Sequence, residues 1–400
     1  MVAVAPFDGL LYDPAVVGDL ASVTSPPYDV VLPHEQDRLH RASTWNIALV
    51  DLGADVAGAP DEKYTRAGQL LDRWRTDGAL ISPGRPCVYP YEMRFAYRGT
   101  RRRVRGVILE VGLEPWGGAI LPHERTMAAP VEDRLRVLKA SKADLSPIYS
   151  VASGPSKPQA ALLERAGDRP PDRELVDEEG VEHRLWIEDP EDALIDWYRD
   201  QTLLIADGHH RYQTALVHRE EMRAAHGPGP WDAVMMLVVD AATEEPPVLP
   251  IHRVVRGAVA ARPDGERVRD LEEILARLVD DDLTYGAALR TDDGLVHLVG
   301  RLQGELPTVA ALHRTFLDDA RLDQLRFVPD AALAEAEVRE GHADLALFLP
   351  PARVESVHAV VAGGGRLPQK STYFWPKART GMVLRPLDLA GNRGSPPGRA

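Results

Sequence analysis

The 400-residue chain contains one cysteine, Cys87. A single thiol excludes an intramolecular disulfide and any multi-cysteine metal cage. Cys87 lies in RPCVYPYE with no base beside it in sequence, which suits a buried structural thiol better than a nucleophile. No apolar run approaches the ~18 residues of a membrane span. The opening MVAVAPFDGLLYD lacks a charged segment followed by a long apolar one, so no secretory signal is read and the cytoplasm is the expected location. Positive charge is also short: 47 Lys and Arg against 61 Asp and Glu give a formal charge of -14. This argues against a broad nucleic-acid-binding surface, which needs clustered cations to displace counterions. The densest basic stretch, RGTRRRVR at 98–105, falls between two strand-like runs and reads as a solvated hairpin tip. No GxxxxGK loop, dinucleotide fingerprint or GxSxG elbow occurs. Gly363-Gly364-Gly365 closes a helical pattern and reads as a C-terminal cap.

What remains is ordinary globular material, 44% hydrophobic and 27% charged, long enough for two or more domains. Helical spacing is read over 34–50 and 61–77, and again from near Pro130. VYPYEMRFAY and RRVRGVILEVGL read as paired strands, WDAVMMLVVDA as a buried strand, and VLPIHRVVRG as a further strand. The alternation predicts an α/β fold of mixed α+β character, with mixed-direction sheets and flanking helices. The expected divisions are an α+β region over 1–153 and an α/β region over 154–386 with an inserted subdomain near 260–330. A tail at 387–400, rich in Gly, Pro and Arg, is expected to be disordered.

The sharpest feature is TLLIADGHHRYQTA at 202–215. A strand ends at Asp207-Gly208 and a helix begins. Asp207 is expected to cap the helix and Gly208 to allow a tight turn. His209, His210 and Arg211 then occupy the first turn, where cations oppose the helix dipole. Positive groups at a positive helix end make sense when an anion sits between them. Arg211 offers a bidentate fork for phosphate or carboxylate, and either histidine an acid or base. The plainer reading is one buried histidine and one solvated one.

Four further clusters stand out. Ser25-Pro26-Pro27-Tyr28-Asp29 is a rigid polar turn, or a plain loop. His123-Glu124-Arg125-Thr126 precedes Asp133-Arg134; no histidine follows at zinc-protease spacing. In Leu249-Pro250-Ile251-His252-Arg253, a strand is expected to present His252 and Arg253 on opposite faces. Gln369–Lys377 (QKSTYFWPK) joins Lys370 and Lys377 with the hydroxyls of Ser371 and Thr372, suited to phosphate or to an edge strand. Histidines for a metal site exist at 34, 123, 209, 210 and 252, but adjacent helical residues point about 100° apart, so His209 and His210 would rarely share an ion.

SPPYDVV, LPHERTMAAPVEDRLRVLKASKADLSPIYSV, IADGHHRYQTAL, LPIHRVV and LPQKSTYFWPKARTGMVL together resemble the prokaryotic domain-of-unknown-function family 1015, over nearly the whole chain. Asp207-Gly208-His209-His210-Arg211 also resembles the strand–turn–helix signature of the ParB/sulfiredoxin superfamily, which includes partitioning CTPases, sulfiredoxin and free-serine kinases. That second resemblance implies a ParB/sulfiredoxin-like core around the turn, with additional subdomains. It implies a small-molecule kinase using ADP or ATP with Mg²⁺, the phosphates held by residues 207–211 with Lys370, Ser371, Thr372 and Lys377. Proton acceptance falls to Asp29 or Glu124, with Asp207 a third candidate, and His209, His210 and Arg211 complete the catalytic set. Tyr28, His123, Thr126, Arg134, His252 and Arg253 are candidates to bind an acceptor such as the amino acid L-serine. No metal ligand is assigned, nucleic acid and membrane are not expected partners, and a homodimer stays open. Two other readings are a nucleotide-responsive regulator without turnover, and a metal-dependent phosphoesterase using His209 and His210.

Overall fold

The computed structural model describes residues 2–124, 128–152, 154–257, 259–278, 283–291, 294–305, 307–317 and 324–387. Of the tail expected at 387–400, residues 388–400 lie outside them. The chain divides into two compact units: one of residues 1–121, 126–245 and 376–400, the other of 122–125 and 246–375.

The first unit grows from the predicted hairpin. Strands β2 (Tyr89–Tyr97) and β3 (Thr100–Gly112) pair from Tyr89↔Ile108 to Tyr97↔Thr100. Arg98 and Gly99 turn the chain at φ 49° and 74°, the two-residue turn whose twist matches that of the strands. Around this hairpin assemble β1 (Val4–Ala5), β4 (Ile120–Pro122), β5 (Ile148–Ala152), β6 (Arg173–Val176), β7 (Glu182–Leu185), β8 (Leu203–Asp207) and β9 (Ala233–Asp240). The order is β4-β8-β5-β9-β3-β2-β7-β6, with β1 on β3. Strands β5 and β9 run parallel, while β9 and β3 run antiparallel, so the sheet is mixed as expected. The run AVMMLVVD of β9 has strands on both sides and is buried from Val234 to Asp240, with Val234, Met236 and Val238 in the hydrophobic core. Strands from both sides of residue 153 share this sheet, so the boundary expected at 153/154 falls inside one unit.

Three helices carry site residues or support them: α1 (Glu62–Thr76), α2 (Ala128–Ser141) and α3 (His209–His226). Helix α2 packs against both others. The helix expected over 34–50 is two helices, Pro33–Ala42 and Ala48–Asp51. The break has a local cause. Ser43 is extended, and Asn46 is buried with its amide donating to Ser22 O at 2.7 Å and accepting from Ala48 N at 2.9 Å. Side chains of this kind offer the backbone an alternative to helix. The chain rejoins the first unit at Pro376. Arg385, 2% exposed, fastens it there by donating to Glu110 at 2.8 Å, Asp144 at 3.1 Å and Pro230 O at 2.6 Å.

The second unit contains β10 (Val248–Leu249), β11 (His252–Val255), β12 (Glu266–Val268), β13 (Thr284–Thr291), β14 (Gly294–Arg301), β15 (Leu325–Val328), β16 (Leu345–Phe348) and β17 (Tyr373–Phe374). Six form an antiparallel sheet in the order β12-β14-β13-β16-β11-β15, and β10 pairs with β17. The expected single strand VLPIHRVVRG is therefore two. Pro250, which has no N–H for a ladder, lies between them. This unit reaches well beyond the subdomain expected at 260–330.

His252 and His313 are buried in it. Burial pushes His252 down to about 4 and His313 down to about 3. His252 Nδ1 accepts from the Leu349 N–H at 3.2 Å, a role that only the neutral ring can fill. A depressed folded pKa means that the unfolded chain protonates first. The stability of the neutral form is present above about 6.5 and is lost as pH falls toward about 4, on the order of 3 kcal/mol for His252. Thermal unfolding followed from pH 7 to pH 4 should show this loss. His252→Asn, which retains an acceptor, should flatten the slope, and an unchanged slope would refute the assignment.

Candidate functional site

Strand β8 is buried along its length and pairs with β5 as Leu203↔Ala152, Leu204↔Val151 and Ile205↔Ser150. The next pair is Asp207↔Tyr149, so Ala206 is an extra residue. Such a bulge re-aims the side chain that follows it. Gly208 then adopts φ 97°, ψ 26° and stands as N-cap of α3. Two requirements select glycine here. The left-handed backbone disfavours a Cβ, and a Cβ would also stand 3.0 Å from the Arg211 guanidinium.

The expected cap by Asp207 is not what the structure has. Asp207 lies at the strand end, and its carboxylate is drawn to two cations instead. Oδ2 accepts from Arg211 Nη2 at 2.5 Å, and Oδ1 accepts from Lys377 Nζ. Arg211 Nη1 also donates to Ser146 Oγ and to Pro147 O, both at 2.7 Å. Its Nε is buried with no hydrogen-bond partner among the described residues. His209 is buried and His210 half-buried, where the plainer reading expected one buried and one solvated. The first turn of α3 carries no carboxylate, and its leading N–H groups have no acceptor within the helix.

Beside this turn lies a group that the sequence reading touched only in part. Arg134 donates to Asp51 Oδ1 at 2.6 Å and to Asp133 Oδ2 at 3.0 Å from Nε. Its guanidinium stacks 4.1 Å from the Tyr28 ring centroid. Asp51 is 6% exposed, and its Oδ2 is buried without a hydrogen-bond partner among the described residues. Burial raises the Asp51 carboxyl above the usual range, against the opposing pull of Arg134 and Arg211. Burial, then the charge of Asp29, pushes the Tyr28 phenol far up, while Asp29 itself is exposed. Asp51, Asp133 and Ser146 were not among the expected site residues. Asp51 had one signal: it is a lone carboxylate in the apolar run NIALVDL.

The remaining candidates belong to the second unit. His123 Nε2 lies 2.6 Å from Thr372 Oγ1, and Glu124 Oε1 accepts from the N–H groups of Ser371 at 2.9 Å and Thr372 at 3.4 Å. Lys370, before them, has φ 51°. Arg253, fully buried, donates to Ile251 O at 2.6 Å, to His313 Nε2 at 3.0 Å and to Gln369 O at 3.3 Å. Burial pushes its guanidinium down to about 9. His252 and Arg253 were expected on opposite faces of a strand, and both faces prove to be interior. By unit, the expected residues fall into two sets. Tyr28, Asp29, Arg134, Asp207, Gly208, His209, His210, Arg211 and Lys377 stand in one unit. His123, Glu124, His252, Arg253, Lys370, Ser371 and Thr372 stand in the other. QKSTYFWPK itself is split after Trp375. Thr126 lies outside the described residues. Among the described residues no group of three or more His, Cys, Asp or Glu is placed to hold a metal ion, and no helix is long and apolar enough to cross a membrane.

No curated relative matches the sequence. Among solved structures, a free serine kinase in complex with AMP is 13% identical with a TM-score of 0.36, covering 65% of this chain and 87% of that one. A conserved hypothetical protein from Pyrococcus furiosus is 14% identical with a TM-score of 0.33, covering 65% and 90%. SbnI with a C-terminal truncation, from Staphylococcus aureus, is 11% identical with a TM-score of 0.32, covering 68% and 80%. The model of the family described as Protein of unknown function (DUF1015) matches residues 4–299, and the chain belongs to that family.

Proposed function

We propose that the protein is a nucleotide-dependent phosphotransferase acting on a small hydroxyl-bearing molecule, with the phosphates of ADP or ATP held at the turn from Asp207 to Arg211. The observation that carries this reading is the convergence of Arg211 and Lys377 on Asp207 at the start of α3. Two cations meet one carboxylate there, at a helix end whose own field is positive. An anion there would meet both cations, and backbone N–H groups at such an end bind phosphate readily.

Asp207 holds both cations in position before a ligand arrives, and so limits the ordering needed on binding. Arg211 and Lys377 then orient phosphate oxygens, and His209 or His210 donates to them. With both oxygens engaged by cations, Asp207 is a poor proton acceptor. Asp29, exposed near Tyr28, is better placed among the first unit's carboxylates to take the acceptor's hydroxyl proton. Mg²⁺ usually enters such sites with the phosphates and needs no full protein cage, and it would neutralise charge on their oxygens. An amino-acid acceptor such as L-serine, and a cytoplasmic setting, come with the resemblance of the turn to the free-serine kinases.

Calorimetric titration with ADP and ATP, with and without Mg²⁺, tests the reading. Lys377→Met should weaken binding roughly ten-fold, equivalent to about 1.4 kcal/mol, and Arg211→Ala at least as much. Arg211 also holds Ser146 and Pro147 O, so its variant is read only where it unfolds at a normal temperature; Lys377 provides the independent check. Unchanged affinity in both would overturn the phosphate site. Binding without phosphoryl transfer to any small hydroxyl compound would favour the regulatory reading.

Asp207→Asn separates the carboxylate's two effects. It removes the internal anion that competes with a ligand, so nucleotide affinity should rise several-fold, about 1 kcal/mol. If Asp207 were instead only a structural clamp, the variant would lose thermal stability and gain no affinity.

A further inference from the structure

Asp51, Arg134, Ser146 and Arg211 line a cavity of about 50 Å³ in the first unit, whose walls also include apolar residues such as Val137 and Leu145. Two of these four carry buried polar atoms that lack a hydrogen-bond partner among the described residues: Asp51 Oδ2, an acceptor, and Arg211 Nε, a donor. Leaving such a group unsatisfied costs roughly 1–3 kcal/mol. Two of opposite sense beside one cavity call for a single occupant that serves both.

The chemistry of that occupant is narrow. A cation is opposed by Arg134 and Arg211. An anion is opposed by Asp51, and Asp144, also in the wall, already accepts from Arg385 and from the Met235 N–H. A carbonyl has no proton for Asp51, and an ammonium no lone pair for Arg211. A neutral hydroxyl does both. The volume exceeds the ~10–15 Å³ needed for one water and leaves room for a carbon beside the oxygen, against apolar walls.

We infer that this cavity binds the hydroxyl end of a small molecule, the hydroxyl donating to Asp51 Oδ2 and accepting from Arg211 Nε. Ser146 and Arg134 become its positioning residues, through Arg211 and Asp51 respectively. The inference rests on the phosphotransferase reading only in naming the hydroxyl as that of the acceptor, whose proton would then face Asp51 in place of Asp29. The shared wall, Arg211, also belongs to the proposed phosphate site. Ordered water is the competing occupant, since it too donates and accepts.

Ligand-detected NMR titration without nucleotide distinguishes them. The probes are pairs that differ by one hydroxyl: glycolate and acetate, L-serine and L-alanine, L-homoserine and L-2-aminobutyrate. At least one hydroxylated member should bind roughly ten-fold more tightly than its counterpart, because a site built around a hydroxyl rejects the analogue without it. Asp51→Asn should erase that preference. Its amide oxygen must face Arg134, which puts an N–H where the hydroxyl's proton needs an acceptor. Val137→Ile, which fills the wall and leaves Asp51 with Arg134, should weaken the hydroxylated probe several-fold, and keeps the test open if Asp51→Asn unfolds. No preference for any hydroxylated member would mean that the cavity holds only water and would overturn the inference. A preference that survives both variants would do the same. Nucleotide titrations on the unsubstituted chain are read separately: their failure with the hydroxyl preference intact strikes the phosphate site alone.

Discussion

The carboxylate of Asp207, held between Arg211 and Lys377, joins three stretches of chain: the end of a buried strand, the first turn of the helix after it, and the segment that rejoins the first unit at Pro376. Each side chain of the triad is at most 14% exposed. Charges so poorly solvated are tolerated only together, and removing one leaves another uncompensated. The bulge at Ala206 and the left-handed Gly208 follow from this requirement. One re-aims Asp207 away from the regular alternation of the strand, and the other lets the helix begin close enough for its third residue to reach back.

The same arginine extends the constraint inward. Through Ser146 and Pro147 O it grips the chain entering β5, the strand that neighbours β8. Through the cavity wall it faces the environment of Asp51, whose other oxygen belongs to Arg134, which in turn holds Asp133 and stacks on Tyr28. Cations and carboxylates alternate through this region. In a chain of charge -14, that alternation is what keeps so many ionised groups at low exposure without net repulsion.

Much of this was legible in the sequence where a local rule governs. The strand–turn–helix at 202–215, the hairpin at 89–112 and the buried run of β9 each announce themselves through periodicity, glycine placement or an unbroken apolar stretch. The rest depended on partners far away in sequence. Asp207 looks like a cap until Lys377, 170 residues on, competes for it. Arg134 seemed a companion of His123 and Glu124 because it follows them closely, yet its partners are Asp51, Asp133 and Tyr28. Asp51 gives a weak signal in the sequence, since one acid in an apolar run looks like a helix end. Its significance lies in an oxygen without a hydrogen-bond partner among the described residues, which only three-dimensional burial reveals.

The split of QKSTYFWPK between the two units carries this furthest. Nine contiguous residues with two lysines and two hydroxyls suggest one phosphate-binding strip. Yet Ser371 and Thr372 offer their N–H groups to Glu124, Thr372 Oγ1 meets His123, and Lys377 joins Asp207. The contacts of the motif therefore fall in two units, five or more residues apart, with the chain crossing between them at 375–376. Lys377 has a place beside the helix turn because Arg385, eight residues later, anchors the same segment to Glu110 and Asp144. A cation delivered by a fastened segment can be positioned as firmly as one on a helix, and Lys377 and Arg211 reach one carboxylate from these two kinds of support.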